Sequence, residues 1–250
     1  MGKAHVLMRK EEIDPQQIEG KVAVVFDVLL ATSTITAALQ KGATEVVPVL
    51  NEAEAHSEAA KRTEGSYLLS GEYGGLTLDG FISPSPLELQ DRVAGKSLVL
   101  STTNGTVAIK KAAAAKKVFA ACLLNGEAVA EAIHRFYENE TLVLVCSGSM
   151  ERFCLEDFYG AGYFLDCLVG EGETKWELTD SARAALFFYR GNKADSAEML
   201  GTARVGKMLS GFGKEEDMRY VARRGVYSVI PYFNGKTVVN GHFAETLKDS

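Results

Sequence analysis

Apolar positions in this chain cluster in short runs, and the runs alternate with stretches of helical periodicity. Residues 22–26, Val-Ala-Val-Val-Phe, form an unbroken and mostly β-branched run. Such a run reads as a strand buried on both faces, as in a parallel sheet. Asp27 ends it at a point where an unpaired carboxylate cannot continue into the core. The turn 28–31 then delivers Thr32, Ser33 and Thr34, good N-cap residues, to a helix expected to run to about residue 41. The same alternation continues down the chain. Strands are expected at 45–49, 67–70, 97–101, 118–123, 142–146 and 226–231. Helices are expected at 52–64, from about 105 to 115, at 127–138 and at 155–169. Residues 179–224 read as wholly helical, in about three pieces. The order implies βαβ units with right-handed crossovers and a mainly parallel sheet carrying helices on both faces. No repeat or linker divides the chain, so residues 1–250 are expected to form one α/β domain, with 179–224 as a cap or subdomain.

Composition narrows the class. The chain has 250 residues, 24% of them charged and 46% hydrophobic, as in a soluble globular protein. A net charge of −6 argues against a general nucleic-acid binder but leaves room for a small anionic substrate. No apolar run approaches the roughly 20 residues that span a bilayer. The first residues lack a signal-peptide pattern. Cys122, Cys146, Cys154 and Cys167 show no CxxC spacing and are expected to be reduced, in a cytoplasmic protein. His5, His56, His134 and His242 are scattered and do not form a zinc set.

Polar residues follow the expected strands directly: Asp27, Ser70 with Glu72, Thr102 to Thr106, Asn125, and Ser147 with Ser149. In a parallel sheet these positions share the carboxyl edge, where open α/β sheets bind ligands. The stretch Thr102-Thr103-Asn104-Gly105-Thr106 combines small hydroxyls, a glycine and a helix start, which suit a phosphate or sulfonate. Asp27, Glu72, Glu156 and Asp157 supply the hard oxygens that Mg²⁺ prefers. Glu156 and Asp157 also stand at a helix start, where the dipole alone favours carboxylates. Neither a dinucleotide fingerprint nor a Walker motif is present.

The blocks Asp27-Val-Leu-Leu-Ala-Thr-Ser33, Gly71-Glu-Tyr-Gly-Gly75, Ser85-Pro-Leu-Glu88, Thr102-Thr-Asn-Gly-Thr106 and Leu155-Glu-Asp157 occur in this order. With residues 211–217 and 229–231 they resemble the bacterial branch of the 2-phosphosulfolactate phosphatase (ComB) family. The resemblance implies a three-layer α/β/α fold. It also implies Mg²⁺-dependent hydrolysis of 2-phospho-3-sulfolactate to 3-sulfolactate and phosphate, a step of coenzyme M synthesis in methanogens. On that basis Asp27, Glu72 and Asn104 are the expected catalytic residues. Asp27, Glu72, Glu156 and Asp157 are the metal-ligand candidates. Thr32, Ser33, Ser85, Thr102, Thr103, Gly105, Thr106, Asn125, Ser147 and Arg152 are the substrate-binding candidates. Three positions depart from the family pattern: Leu30 and Ser149 stand where the family has arginine, and Pro84 where it has asparagine. Arg152 is the expected remaining guanidinium, with Arg183, Arg204, Arg223 and Arg224 unranked behind it.

Two other readings stand beside this one. Cys146-Ser-Gly-Ser-Met-Glu-Arg152 has the Cys-x₅-Arg spacing of a thiol phosphatase. A non-catalytic sensor of sulfonates or phosphates is the alternative of another class. The apolar and aromatic helical surfaces at 158–168 and 182–189 further suggest a homodimer.

Overall fold

The computed structural model describes residues 1–170 and 175–241. His242 lies outside the described residues. Among these residues eleven strands form one sheet. In chain order they are β1 (Gly2–Leu7), β2 (Val22–Phe26), β3 (Glu45–Val49), β4 (Tyr67–Tyr73), β5 (Leu76–Thr77), β6 (Ser97–Ser101), β7 (Lys117–Ala121), β8 (Thr141–Cys146), β9 (Trp176–Leu178), β10 (Pro231–Phe233) and β11 (Val238–Asn240). Their spatial order is β5-β4-β6-β3-β11-β10-β7-β2-β8-β1-β9. The ladders β9–β1, β1–β8, β8–β2 and β2–β7 are parallel, as are those joining β4, β6 and β3. The hairpin β10–β11 joins the two parallel halves through antiparallel ladders to β7 and β3.

Helices cover both faces. They are α1 (Pro15–Ile18), α2 (Ala31–Gln40), α3 (Glu52–Ala59), α4 (Pro86–Leu89), α5 (Gly105–Lys111), α6 (Gly126–Phe136), α7 (Leu155–Val169), α8 (Asp180–Gly191), α9 (Ser196–Thr202), α10 (Arg204–Gly211) and α11 (Glu215–Val221). The three-layer arrangement follows from β2 itself. Successive side chains of a strand point to opposite faces. Val22, Val24 and Phe26 therefore join Phe158, Phe164 and Ile133 in one core, while Ala23 and Val25 join Ile35, Leu39 and Ile109 in the other. A third cluster lies past the ends of β2 and β7. There Val28, Leu29 and Leu123 meet Tyr159, Met199, Leu200, Val205, Leu209 and Met218. Helices α9, α10 and α11 thus roof the carboxyl edge of the sheet.

Several local expectations change. Residues 179–224 form four helices, not three. The strand expected at 226–231 begins only at Pro231 and continues to Phe233. The helix after Asn51 ends at Ala59, with Asn51 Oδ1 accepting from Glu54 N at 2.9 Å. The apolar surfaces of α7 and α8 face each other within the chain. The approach is so close that a Cβ on Gly162 would lie 2.2 Å from Ala185 O. No helix among the described residues is long and apolar enough to cross a membrane. All four cysteines are free thiols.

Candidate active site

Three strand-to-helix turns, β2–α2, β6–α5 and β8–α7, meet at one cleft beneath the roof. Its cavity volume is about 100 Å³. Its polar lining includes Asp27, Glu72, Thr102, Thr103, Asn104, Ser149, Glu156, Asp157, Arg204 and Lys214. An apolar wall of Leu29, Leu30, Val205, Met208, Leu209 and Phe212 faces them.

Asp27 leaves the end of β2 as expected and is 7% exposed. Its Oδ1 accepts from Ala31 N at 3.4 Å, at the start of α2. Its Oδ2 lies against Gly105: a Cβ there would sit 2.7 Å from that oxygen and 2.5 Å from Ala31 Cβ. Glycine is required at 105 so that the α5 and α2 turns can close on Asp27. Burial, and next the charge of Glu72, push the Asp27 carboxyl up to about 7.

Asp157 ties two of the turns together. Its Oδ1 accepts from Val28 N at 2.9 Å and its Oδ2 from Gly148 N at 3.0 Å. Burial and then the charge of Asp27 hold its carboxyl well above the usual carboxylate range. Burial also raises Glu156. Glu156 Oε2 is buried with no hydrogen-bond partner among the described residues. Glu72 is anchored differently. Thr103 donates to it twice, from N at 2.7 Å and from Oγ1 at 3.0 Å, and Gly75 N donates at 2.7 Å.

This cluster of carboxylates is costly without a counter-charge. The unpartnered Glu156 oxygen and the Asp27 carboxylate, which both line the cleft, are hard donors of the kind that a divalent cation takes. Among the described residues no three His, Cys, Asp or Glu side chains converge as a complete ligand set. A cation here would therefore be held by one or two carboxylates, with water and phosphate oxygens completing its shell, which is the habit of Mg²⁺.

Other expected site residues serve the scaffold. Thr32 Oγ1 accepts from Asp27 N at 3.0 Å and donates to Asp27 O at 2.9 Å, and Ser33 Oγ donates to Val28 O at 2.9 Å. Both hydroxyls lie inside α2, whose first cap is Leu30, and bond back to the turn rather than capping the helix. Thr102 and Thr106 lock each other: Thr106 N donates to Thr102 Oγ1 at 3.1 Å, and Thr102 N to Thr106 Oγ1 at 3.2 Å. Ser85 caps α4 and donates to Asp217. Asn125 does not line the cleft. Its Oδ1 accepts from Cys122 N at 2.9 Å, and its Nδ2 donates to Ala120 O and Val229 O. Ser147 is fully buried beneath the cleft lining. Arg152 is exposed on the far side of a tight loop in which Met150 and Glu151 both adopt left-handed φ, 53° and 58°. Arg204, rather than Arg152, lines the cleft, and it donates to Ser149 O at 3.1 Å. Leu30 lines the cleft, so the departure there faces the ligand side. Lys10, 6% exposed, donates to Asn104 Oδ1 at 2.9 Å, and nothing in its local sequence marks it.

The thiol alternative finds no support in this geometry. Cys146 is fully buried, and burial and then Asp157 hold its thiol well above the ordinary value. A thiol kept protonated is not a nucleophile.

Fold and cleft define an α/β protein with a mostly parallel sheet and a cleft at the carboxyl ends of its strands, where open α/β sheets bind ligands. A family model described as 2-phosphosulpholactate phosphatase matches residues 7–236. A protein of Clostridium acetobutylicum named probable 2-phosphosulfolactate phosphatase is 36% identical over 237 residues, covering 94% of this chain and 99% of the relative. One of the same name from Clostridium perfringens strain SM101 is 39% identical over 246 residues, covering 96% and 98%. A third, from Clostridium tetani, is 36% identical over 233 residues, covering 92% and 97%. The chain belongs to the 2-phosphosulpholactate phosphatase family.

Proposed function

We propose that this protein hydrolyses a small phosphate monoester, 2-phospho-3-sulfolactate being the first substrate to test, with a divalent cation such as Mg²⁺. The supporting observation is the grouping of the buried carboxylates Asp27, Glu156 and Asp157, with one Glu156 oxygen unpartnered, at a cleft at the ends of parallel strands. The names of the relatives point to the same substrate.

The residues divide the work as follows. Asp27 and Glu156 would hold the cation. Bound there, it would withdraw charge from the phosphoryl oxygens and lower the pKa of water. Asp157 and Glu72 keep the turns in place through the backbone N–H groups they accept. Asp27 Oδ2, if not engaged by the cation, can take a proton from the attacking water as the ester P–O bond breaks, and that proton can pass to the leaving oxygen. Asn104 and Arg204 face the anion from two sides of the cleft. Leu29, Leu30, Val205 and Leu209 exclude water from the reacting centre.

Asp27→Asn and Glu156→Gln test this reading. Each should lower phosphate release from 2-phospho-3-sulfolactate by two orders of magnitude or more, about the scale of losing a catalytic group, while keeping a cooperative unfolding transition. Turnover near the wild-type rate in both folded variants would remove the carboxylate cluster from the mechanism. The expectation of a cytoplasmic location and of a homodimer belongs to this proposal too; sedimentation at micromolar concentration decides the second.

A further inference from the structure

Lys10 opens the 3-10 turn Lys10–Glu12 that follows β1 and is 6% exposed. A buried ammonium needs acceptors, because an unpaired one is among the costliest groups to desolvate. Lys10 has three: the Glu11 carboxylate at 3.0 Å, Asn104 Oδ1 at 2.9 Å and Ser147 O at 3.5 Å. Two of them belong to the loops after β6 and β8, which border the cleft. The Lys10 side chain itself does not line it.

An ammonium is a donor only, so the atom of the Asn104 amide that faces it must be the carbonyl oxygen. The amide NH₂ is thereby turned away from Lys10. Asn104 lines the cleft, and its Nδ2 has no protein acceptor among the described residues. Its neighbours are already engaged. The Thr103 hydroxyl donates to Glu72, and Thr102 and Thr106 bond each other. Asn104 is thus the residue of this stretch with a side-chain donor still free for a ligand.

We propose that Lys10 is a positioning residue: by holding Asn104 Oδ1 it fixes the Asn104 NH₂ as a donor to a phosphoryl oxygen in the cleft. This rests on the phosphate-ester reading above, and Lys10 acts only through Asn104.

A double-mutant cycle with inorganic phosphate as the probe tests it. Lys10→Met and Asn104→Ala should each weaken phosphate inhibition and raise KM by about fivefold to tenfold, the scale of one hydrogen bond. In the Asn104→Ala background, Lys10→Met should add less than about twofold, since the two groups act as one unit. Lys10→Arg, also donor-only, should restore most of the affinity. With ¹⁵N-asparagine labelling, phosphate should shift the Asn104 side-chain amide signal of the wild type, which needs no variant to fold. Multiplying effects of the two variants, or a lowered melting temperature with unchanged KM and phosphate inhibition, would overturn the proposal. So would an Asn104 amide signal that phosphate leaves in place. A wild type that binds phosphate and shifts this signal without hydrolysing any ester would end the hydrolysis reading while leaving the role of Lys10 intact.

Discussion

Ser85 donates its hydroxyl to Asp217 Oδ1 at 2.6 Å, joining the start of α4 to the middle of α11. Asp217 is 4% exposed and also accepts from Leu87 N at 3.4 Å. This bond anchors the roof helix α11 to α4. A hydrogen bond to a charged group contributes about 1.5–3 kcal/mol. Ser85→Ala should therefore lower unfolding stability by that amount in urea titrations, with KM close to wild type. Unchanged stability with a raised KM would return Ser85 to the substrate contacts that its sequence motif suggested.

The pH dependence of stability reports the state of Asp27. Its folded carboxyl titrates at about 7 against an ordinary 3.8. The folded state therefore keeps a proton that the unfolded chain has already released. Without divalent cation, stability should fall as pH rises from about 4 and level off above about 7, at most by roughly 1.4 kcal/mol per pH unit from this group. Asp27→Asn lacks the effect, so it should be more stable than wild type at pH 8 in chelator, and the gap should close towards pH 4. Parallel stability curves for the two proteins would show that Asp27 is already neutralised or solvated.

Cys146 gives a prediction about what is not needed. Its thiol is buried at the end of β8 and held protonated. Cys146→Ser should keep kcat within about threefold of wild type, far from the loss expected of a nucleophile. The melting temperature should drop, because the new hydroxyl is buried where a thiol was content with apolar neighbours. Abolished turnover in a folded variant would revive the thiol mechanism.

The parts of the fold legible in the sequence are those specified locally. The run Val22–Phe26, the acid after it and the helix Leu155–Val169 were readable because strand and helix periods differ. β1 was not read: its burial alternates, with Lys3 exposed and His5 half-buried between apolar residues, so no unbroken run announces it. The hairpin β10–β11 sits mid-sheet only because distant strands accept it, and no local pattern encodes that pairing. The site divides the same way. Asp27, Glu72, Asn104, Glu156 and Asp157, which stand out in the sequence by their places after strands or at helix starts, all line the cleft. Arg204 lines the cleft and Lys10 bonds Asn104 behind it, both from segments far away in sequence, and only the tertiary fold brings them there. Thr32, Thr106 and Asn125 look like ligand groups because their types suit a ligand, yet each satisfies nearby backbone that would otherwise be buried unpaired.

The most direct measurement is phosphate release from 2-phospho-3-sulfolactate by the purified wild type, first with EDTA and then with Mg²⁺ restored in excess. Loss of turnover in chelator and its recovery with Mg²⁺ is the result expected of a carboxylate-held cation. Undiminished release in EDTA, or binding of the ester with no release under any metal condition, would contradict it.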